Sequence, residues 1–371
     1  MMKNKHRIIL SGGGTAGHIY PAVAVAEALA ERYGKDNIEI LFVGARGKME
    51  MTKVAALGYN IVGLPIVGLR RSLSPQNLLL PFRLLRSYLM AYSILKKFRP
   101  EAVVGFGGYA SVPILKCAQT LNIRTMLWEG NSYGGVANRL LGKKAEAIFV
   151  SYDNMDRFFD KEKLVRSGNP LRGDIFNKSV DKNAAYTYFG FTGERPILMV
   201  TGGSLGSRIL NESVMAFLEE VIAEKKIDLI WQVGSYYEKE IKERVAQYDG
   251  KMSNVWLGAF INKMDFAYAI ADVVVGRGGA STISELALLG KSAIIVPSSN
   301  VAEDHQTKNA MSLKNVGAVE MISDADAPTK LIPTAIELIF DTEKLKSLRE
   351  NIKQFAVADS AEIIVNTINL K

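Results

Sequence analysis

The chain has 371 residues, longer than single hydrophobic cores usually grow, so two domains are expected. Its 48% hydrophobic content excludes a disordered chain, and no apolar run reaches the ~18–20 residues that span a bilayer. The formal charge of +8 is unevenly spread: residues 1–170 carry 24 basic against 12 acidic side chains, and the remainder 22 against 26.

The N-terminus opens with Lys3, Lys5 and Arg7, but the apolar stretch that follows breaks into glycines after Leu10, unlike a secretory signal. The single cysteine, Cys117, has no internal partner for a disulfide, which suits a reducing cytoplasm. Short apolar runs alternate with helical patterns, the signature of βαβ units and parallel sheets. Strands are predicted at 7–11, 38–43, 102–106, 123–127 and 147–150, then at 197–201, 229–232, 255–257, 273–275 and 293–296. The Gly- and Pro-punctuated stretch 167–173 separates the two sets and reads as a linker. Each set begins with a strand, a glycine loop and a helix, around Gly12-Gly13 and Gly202-Gly203. The fold class is therefore α/β, with two Rossmann-like domains spanning 1–168 and 169–355.

Gly12-Gly13-Gly14-Thr15-Ala16-Gly17-His18 satisfies G-x-G-x-x-G, in which glycines and a helix N-terminus receive a phosphate. A nicotinamide site also wants an acid at the end of the second strand, and Phe42-Val43-Gly44-Ala45-Arg46 offers none. Between Glu50 and Glu101 lies no acid, while Arg70, Arg71, Arg83 and Arg86 all do. Such a stretch concentrates an anionic partner. Leu78, Phe82, Leu85, Leu89 and Tyr92 form a helical apolar stripe there, with Leu79, Leu80 and Leu84 beside it. An apolar patch ringed by bases suits an anionic membrane surface, though the stripe from Leu89 onward is expected to pack on the domain.

In the second half, Gly276-Arg277-Gly278-Gly279-Ala280-Ser281-Thr282 makes an anion cradle at a strand-to-helix junction. Glu285 falls about one turn inside that helix, placed for ribose hydroxyls or merely for the helix dipole. The loop after the next strand carries Glu303, Asp304, His305, Gln306 and Asn309. Of the three histidines, His18 and His305 lie in these loops, and His18 reads equally as a general base or as a positioning group. Metal-ligand spacing is missing, and Asp324 and Asp326 sit in a late loop read as remote from the glycine motifs. A mechanism without a metal or other cofactor is expected.

Taken in order, Gly13–Ala22, Gly107-Gly108-Tyr109-Ala110-Ser111, Gly168-Asn169-Pro170-Leu171-Arg172, Gly202-Gly203-Ser204, the 278–285 loop and Asp304-His305-Gln306 resemble the bacterial peptidoglycan N-acetylglucosaminyltransferases. The resemblance covers nearly the whole chain. It implies a GT-B fold whose two domains face one another across a cleft, with a last helix near 356–371 returning to the first domain. It also implies an inverting transfer of N-acetylglucosamine from UDP-N-acetylglucosamine to lipid I, giving lipid II for cell-wall synthesis at the inner membrane leaflet. His18 is carried over as catalytic, with Gly14, Thr15, Gly17, Tyr109 and Asn131 on the acceptor side. Donor contacts carried over are Arg172, Ser204, Ile261 through its backbone, Ala280, Ser281, Thr282, Glu285 and Gln306, with Thr15 and Asn131 adjoining. Implied partners are both substrates, the anionic leaflet and other cell-wall enzymes, and not nucleic acid. Two positions depart from the family pattern: Leu205 where many relatives have Gln, and Gly130 within their Glu-Gln-Asn. A transferase acting on another lipid, or a UDP-sugar 2-epimerase, remains the alternative.

Overall fold

The computed structural model describes residues 5–67, 80–171, 180–299, 301 and 304–370. The chain divides into two compact units, one of Met1–Arg172 with Val357–Lys371 and the other of Gly173–Ala356.

The first unit contains β1 (His6–Ser11), α1 (Ala16–Tyr33), β2 (Ile38–Ala45), α2 (Met49–Ala56), β3 (Asn60–Leu64) and α3 (Leu80–Phe98). It continues through β4 (Ala102–Gly105), α4 (Val112–Thr120), β5 (Arg124–Glu129), α5 (Val136–Gly142), β6 (Ala147–Val150) and β7 (Leu164–Arg166). All pairings are parallel, in the order β3-β2-β1-β4-β5-β6-β7. Successive side chains of β1 point to opposite faces, so an unbroken apolar run is what a sheet covered on both sides requires. Ile8 and Leu10 join one core with Val23, Ala26 and Leu29 of α1. Ile9 joins the other, with Ala91 and Leu95 of α3 and Ile114 and Leu115 of α4.

The second unit holds α6 (Lys182–Phe189), β8 (Ile197–Thr201), α7 (Arg208–Glu224), β9 (Asp228–Gln232), α8 (Glu238–Val245), β10 (Val255–Gly258) and α9 (Met264–Ile270). After these come β11 (Val273–Gly276), α10 (Ala280–Leu289), β12 (Ser292–Ile295), α11 (His305–Lys314), β13 (Glu320–Met321), α12 (Ala327–Phe340) and α13 (Thr342–Ile352). Its sheet repeats the pattern, β10-β9-β8-β11-β12-β13, again all parallel. Leu198, Val200, Trp231, Val273 and Val275 pack there against Leu210, Val214 and Leu218 of α7 and Leu331 and Ala335 of α12. A last helix, α14 (Ser360–Ile368), returns to the first unit. It buries Ile364, Val365 and Ile368 in the same core as α1, and Leu370 N–H donates to the Tyr33 hydroxyl at 3.0 Å.

Both strand orders reverse direction beside the first strand, between β1 and β4 and between β8 and β11. In open α/β sheets, ligands bind outside the carboxyl ends of the strands at such a reversal. The glycine loops after β1, β4, β8 and β11 all open there.

On α3 the structure corrects the expected packing. Ser87, Ala91 and Leu95 are the buried face, while Leu89 is 61% exposed and Tyr92 is also exposed. The stripe of Phe82, Leu85, Leu89 and Tyr92 therefore stays outside along its described length. Ser87 and Ala91 give the inner face two small residues, where α3 runs against α4, and Leu95 fills the core beyond them.

Candidate functional site

In the first unit the site begins at the N-terminus of α1. The N-cap Thr15 makes no side-chain capping bond, and its carbonyl oxygen accepts the His18 N–H at 3.2 Å. His18, the third helical residue, is half-buried, and its ring lies against the loop after β4. Gly107 and Gly108 both have positive φ. A methyl group on either would stand 3.0 Å and 3.4 Å from ring atoms of His18, so that loop can run flush with the imidazole. Gly14, also at positive φ, has the Tyr109 ring beside it. The structure thus brings His18, Gly14, Thr15, Gly17 and Tyr109 together at one reversal.

Asn131 lies in the next loop, after β5, and is fixed by a residue that sequence reasoning left without a role. The Glu129 carboxylate accepts the Asn131 N–H and Nδ2, each at 3.1 Å, and the Gly135 N–H and Asn138 Nδ2, each at 2.9 Å. Burial pushes the Glu129 carboxyl up from the ordinary range, against the opposing pull of these four donors. Gly130 is explained by its neighbour: a methyl there would stand 2.2 Å from the Trp128 ring, whose Nε1 donates to Gly168 O at 3.1 Å.

A second unassigned acid is Glu50, in the first turn of α2. No acid sits at the end of β2, as the sequence indicates, but Glu50 turns its carboxylate back toward that corner. It accepts the N–H of Ala45 at 2.9 Å and that of Gly14 at 3.1 Å.

In the second unit, the N-cap of α10 is Gly279, which has no side chain to cap the helix. The amides of Ala280, Ser281 and Thr282 are the first-turn donors, where an anion meets the positive end of the helix dipole. Glu285 faces the fully buried Tyr268, whose hydroxyl donates to Oε2 at 2.8 Å. Burial, and then the Glu285 charge, push the Tyr268 hydroxyl well above its usual value, so it remains a donor. After β8, Thr201 Oγ1 donates to Gln232 Oε1 at 3.0 Å, and Gln232 Nε2 donates to Gly203 O at 3.0 Å. These bonds hold the Gly203–Ser204 turn, beyond which Leu205 is exposed.

Arg277 connects this loop to the rest of the reversal. Its guanidinium donates to Ser207 Oγ at the start of α7, to Val296 O at 2.9 Å, and to Asp324. That pairing corrects the reading of Asp324 as remote from the glycine motifs. Gln306 Oε1 accepts the Ser298 N–H at 2.9 Å, and Asn309 Nδ2 donates to Gly278 O at 3.2 Å, so α11 packs on the same loop. Ile261 is buried in the loop after β10, at the far edge of the sheet. Arg70, Arg71, Leu78, Leu79, Arg172 and Glu303 lie outside the described residues. Among the described residues, no group of three His, Cys, Asp or Glu side chains is placed to hold a metal ion.

Two parallel sheets of this order, each with glycine loops at its reversal, make a GT-B fold. The chain belongs to glycosyltransferase family 28: residues 8–150 match the family's N-terminal domain and residues 197–364 its C-terminal domain. It is 45% identical over 364 residues to the UDP-N-acetylglucosamine–N-acetylmuramyl-(pentapeptide) pyrophosphoryl-undecaprenol N-acetylglucosamine transferase of Parabacteroides distasonis, covering 98% of each chain. To the enzyme of that name from Cytophaga hutchinsonii it is 47% identical, over 98% of this chain and 96% of the relative. Among solved structures, MurG of Acinetobacter baumannii superposes with a TM-score of 0.76 at 24% identity, covering 98% of this chain and 99% of that one. UDP-GlcNAc 2-epimerase from Neisseria meningitidis superposes with a TM-score of 0.66 at 13% identity, covering 98% and 99%, and shares the fold alone.

The Trp128–Gly130 contact yields a direct test. Gly130→Ala is expected to destabilise the protein by about 1–3 kcal/mol through overpacking against the indole, read as a lower midpoint in thermal or urea unfolding. An unchanged midpoint would mean that the ring yields.

Proposed function

We propose that this chain transfers N-acetylglucosamine from UDP-N-acetylglucosamine to the muramyl-pentapeptide diphosphate-undecaprenol acceptor, lipid I, with inversion at the sugar carbon. The observation that carries this reading is the near-complete alignment, at 45% and 47% identity, with transferases bearing that activity in their names. In the reaction the acceptor's 4-hydroxyl oxygen bonds to C1 of the donor sugar as the bond from C1 to the UDP phosphate breaks. The hydroxyl proton goes to a base, and UDP leaves with the bonding electron pair.

The two reversals suit the two halves of this step. The uncapped N-terminus of α10 offers amides and a positive dipole to the diphosphate, where negative charge grows as UDP departs. Glu285, held by Tyr268, supplies a charged acceptor for ribose hydroxyls. In the first unit, His18 supplies the imidazole for the acceptor proton, and the α1 N-terminus suits the acceptor's own diphosphate. Docking on an anionic leaflet rests on α3, where Phe82 is 72% exposed and Leu85 and Leu89 follow on the same side with Arg86. Basic groups at such a surface contribute about 1 kcal/mol each. No helix among the described residues is long and apolar enough to cross a membrane.

The function is tested by supplying labelled UDP-N-acetylglucosamine with lipid I or another polyprenyl-linked acceptor, in buffer with EDTA. Label is expected on lipid I with full activity under chelation; label on the other acceptor alone would refute the assignment. Glu285→Ala is expected to weaken UDP binding, measured by calorimetry, by an amount on the order of 1.5–3 kcal/mol. Unchanged affinity in the folded variant would confine Glu285 to the helix. Replacing Phe82, Leu85 and Leu89 by Ser should abolish cosedimentation with anionic liposomes and leave UDP binding intact. Retained cosedimentation would move the membrane face elsewhere.

A further inference from the structure

Glu50 takes no part in the transfer as set out above, yet it lies beneath the acceptor-side loop. Its side chain is buried, with the residue only 1% exposed. Oε2 accepts the Gly14 N–H and Oε1 the Ala45 N–H, so one carboxylate ties the loop after β1 to the end of β2. The space around it admits nothing larger than glycine. A methyl on Gly13 would stand 2.2 Å from Oε1, and one on Gly44 would stand 2.6 Å from Cγ. In a dinucleotide-binding unit an acid at the end of the second strand receives a ribose. Here the carboxylate at that corner is turned inward, onto the loop's own backbone.

From that anchor, contacts run on to the imidazole. The carbonyl oxygen of Gly13 lies 2.5 Å from where a methyl on Gly108 would stand, so the loops after β1 and β4 touch backbone to backbone. Gly107 and Gly108 in turn lie flat against the His18 ring. Displacing Gly13 and Gly14 therefore displaces the surface on which the ring rests. We propose that Glu50 is a positioning residue for the transfer: it fixes the Gly13–Gly14 backbone, and through Gly107 and Gly108 the orientation of His18, without touching either substrate. The inference rests on the reading of His18 as the acceptor-side base.

Glu50→Gln keeps the shape of the side chain but turns an amide NH2 toward one of the two N–H donors, where it cannot accept. Gly13→Ala keeps the carboxylate and pushes the backbone away from it. Both full-length variants are to be compared with wild type for kcat, for the UDP dissociation constant by calorimetry, and for melting temperature. Each is expected to lose about 10–100-fold in kcat, as small misplacements of reacting groups do, while UDP affinity stays that of wild type and the protein remains folded at the assay temperature. A residue that only stabilised the fold would lower the melting temperature and leave kcat per folded molecule unchanged. If Glu50→Gln fails to fold, Gly13→Ala alone decides, by the same reading of kcat. Wild-type kcat in either folded variant overturns the proposal. A wild-type enzyme that transfers no sugar to lipid I would instead refute the assigned function, and the role of Glu50 with it.

Discussion

A parallel sheet whose chain winds outward on both sides of its first strand cannot cover the carboxyl ends of the two central strands. The helix after the first strand and the helix after the fourth leave on opposite faces, and a crevice opens between them. This chain makes that arrangement twice, at β1/β4 and at β8/β11. The binding of donor and acceptor diphosphates, as proposed, hangs on what the four adjoining loops present. At Gly13, Gly108, Gly202 and Gly278, one in each loop, a Cβ would stand 2.2–2.6 Å from a neighbouring atom, so strand ends and helix starts can converge there only without side chains.

The two crevices differ in what lines them. In the second unit, charged groups knit the loops together: Arg277 reaches Ser207, Val296 and Asp324, and the α10 N-terminus has no capping side chain. On the proposed reading its amide donors form a preorganised anion site, which needs no rearrangement when charge develops on a leaving diphosphate. In the first unit, buried carboxylates instead hold backbone. Glu50 grips the glycine loop and Glu129 grips the Asn131 loop, each accepting N–H groups from two or more segments. A buried carboxylate is costly to leave unsatisfied, so such grips specify loop shape tightly.

Much of this was legible from the residues, and the exceptions share physical causes. The central strands announce themselves because both faces are covered, so runs such as Ile8–Leu10 and Val273–Val275 are continuously apolar. The strands absent from the sequence reading, β3, β7 and β13, all lie at sheet edges and are partly solvated, which dilutes the apolar run. Periodicity on α3 identifies an apolar stripe but not whether it faces in or out. Ser87 and Ala91 face inward because a close-packed helix interface favours small residues, leaving Leu89 outside. Glycine motifs marked where ligands would sit. The side chains that shape those motifs were hidden, because Glu50 meets Gly14 across 36 positions and Arg277 meets Asp324 across 47, separations that only the topology closes.

The central claim is a division of labour: the second unit binds the nucleotide and the first activates the acceptor. It is tested most directly by His18→Ala, measured for both turnover and UDP binding. The account predicts a loss of roughly 10²–10⁴-fold in kcat, the typical cost of removing a general base, with the calorimetric affinity for UDP unchanged. Turnover within a few-fold of wild type, or a parallel loss of UDP affinity, would contradict it.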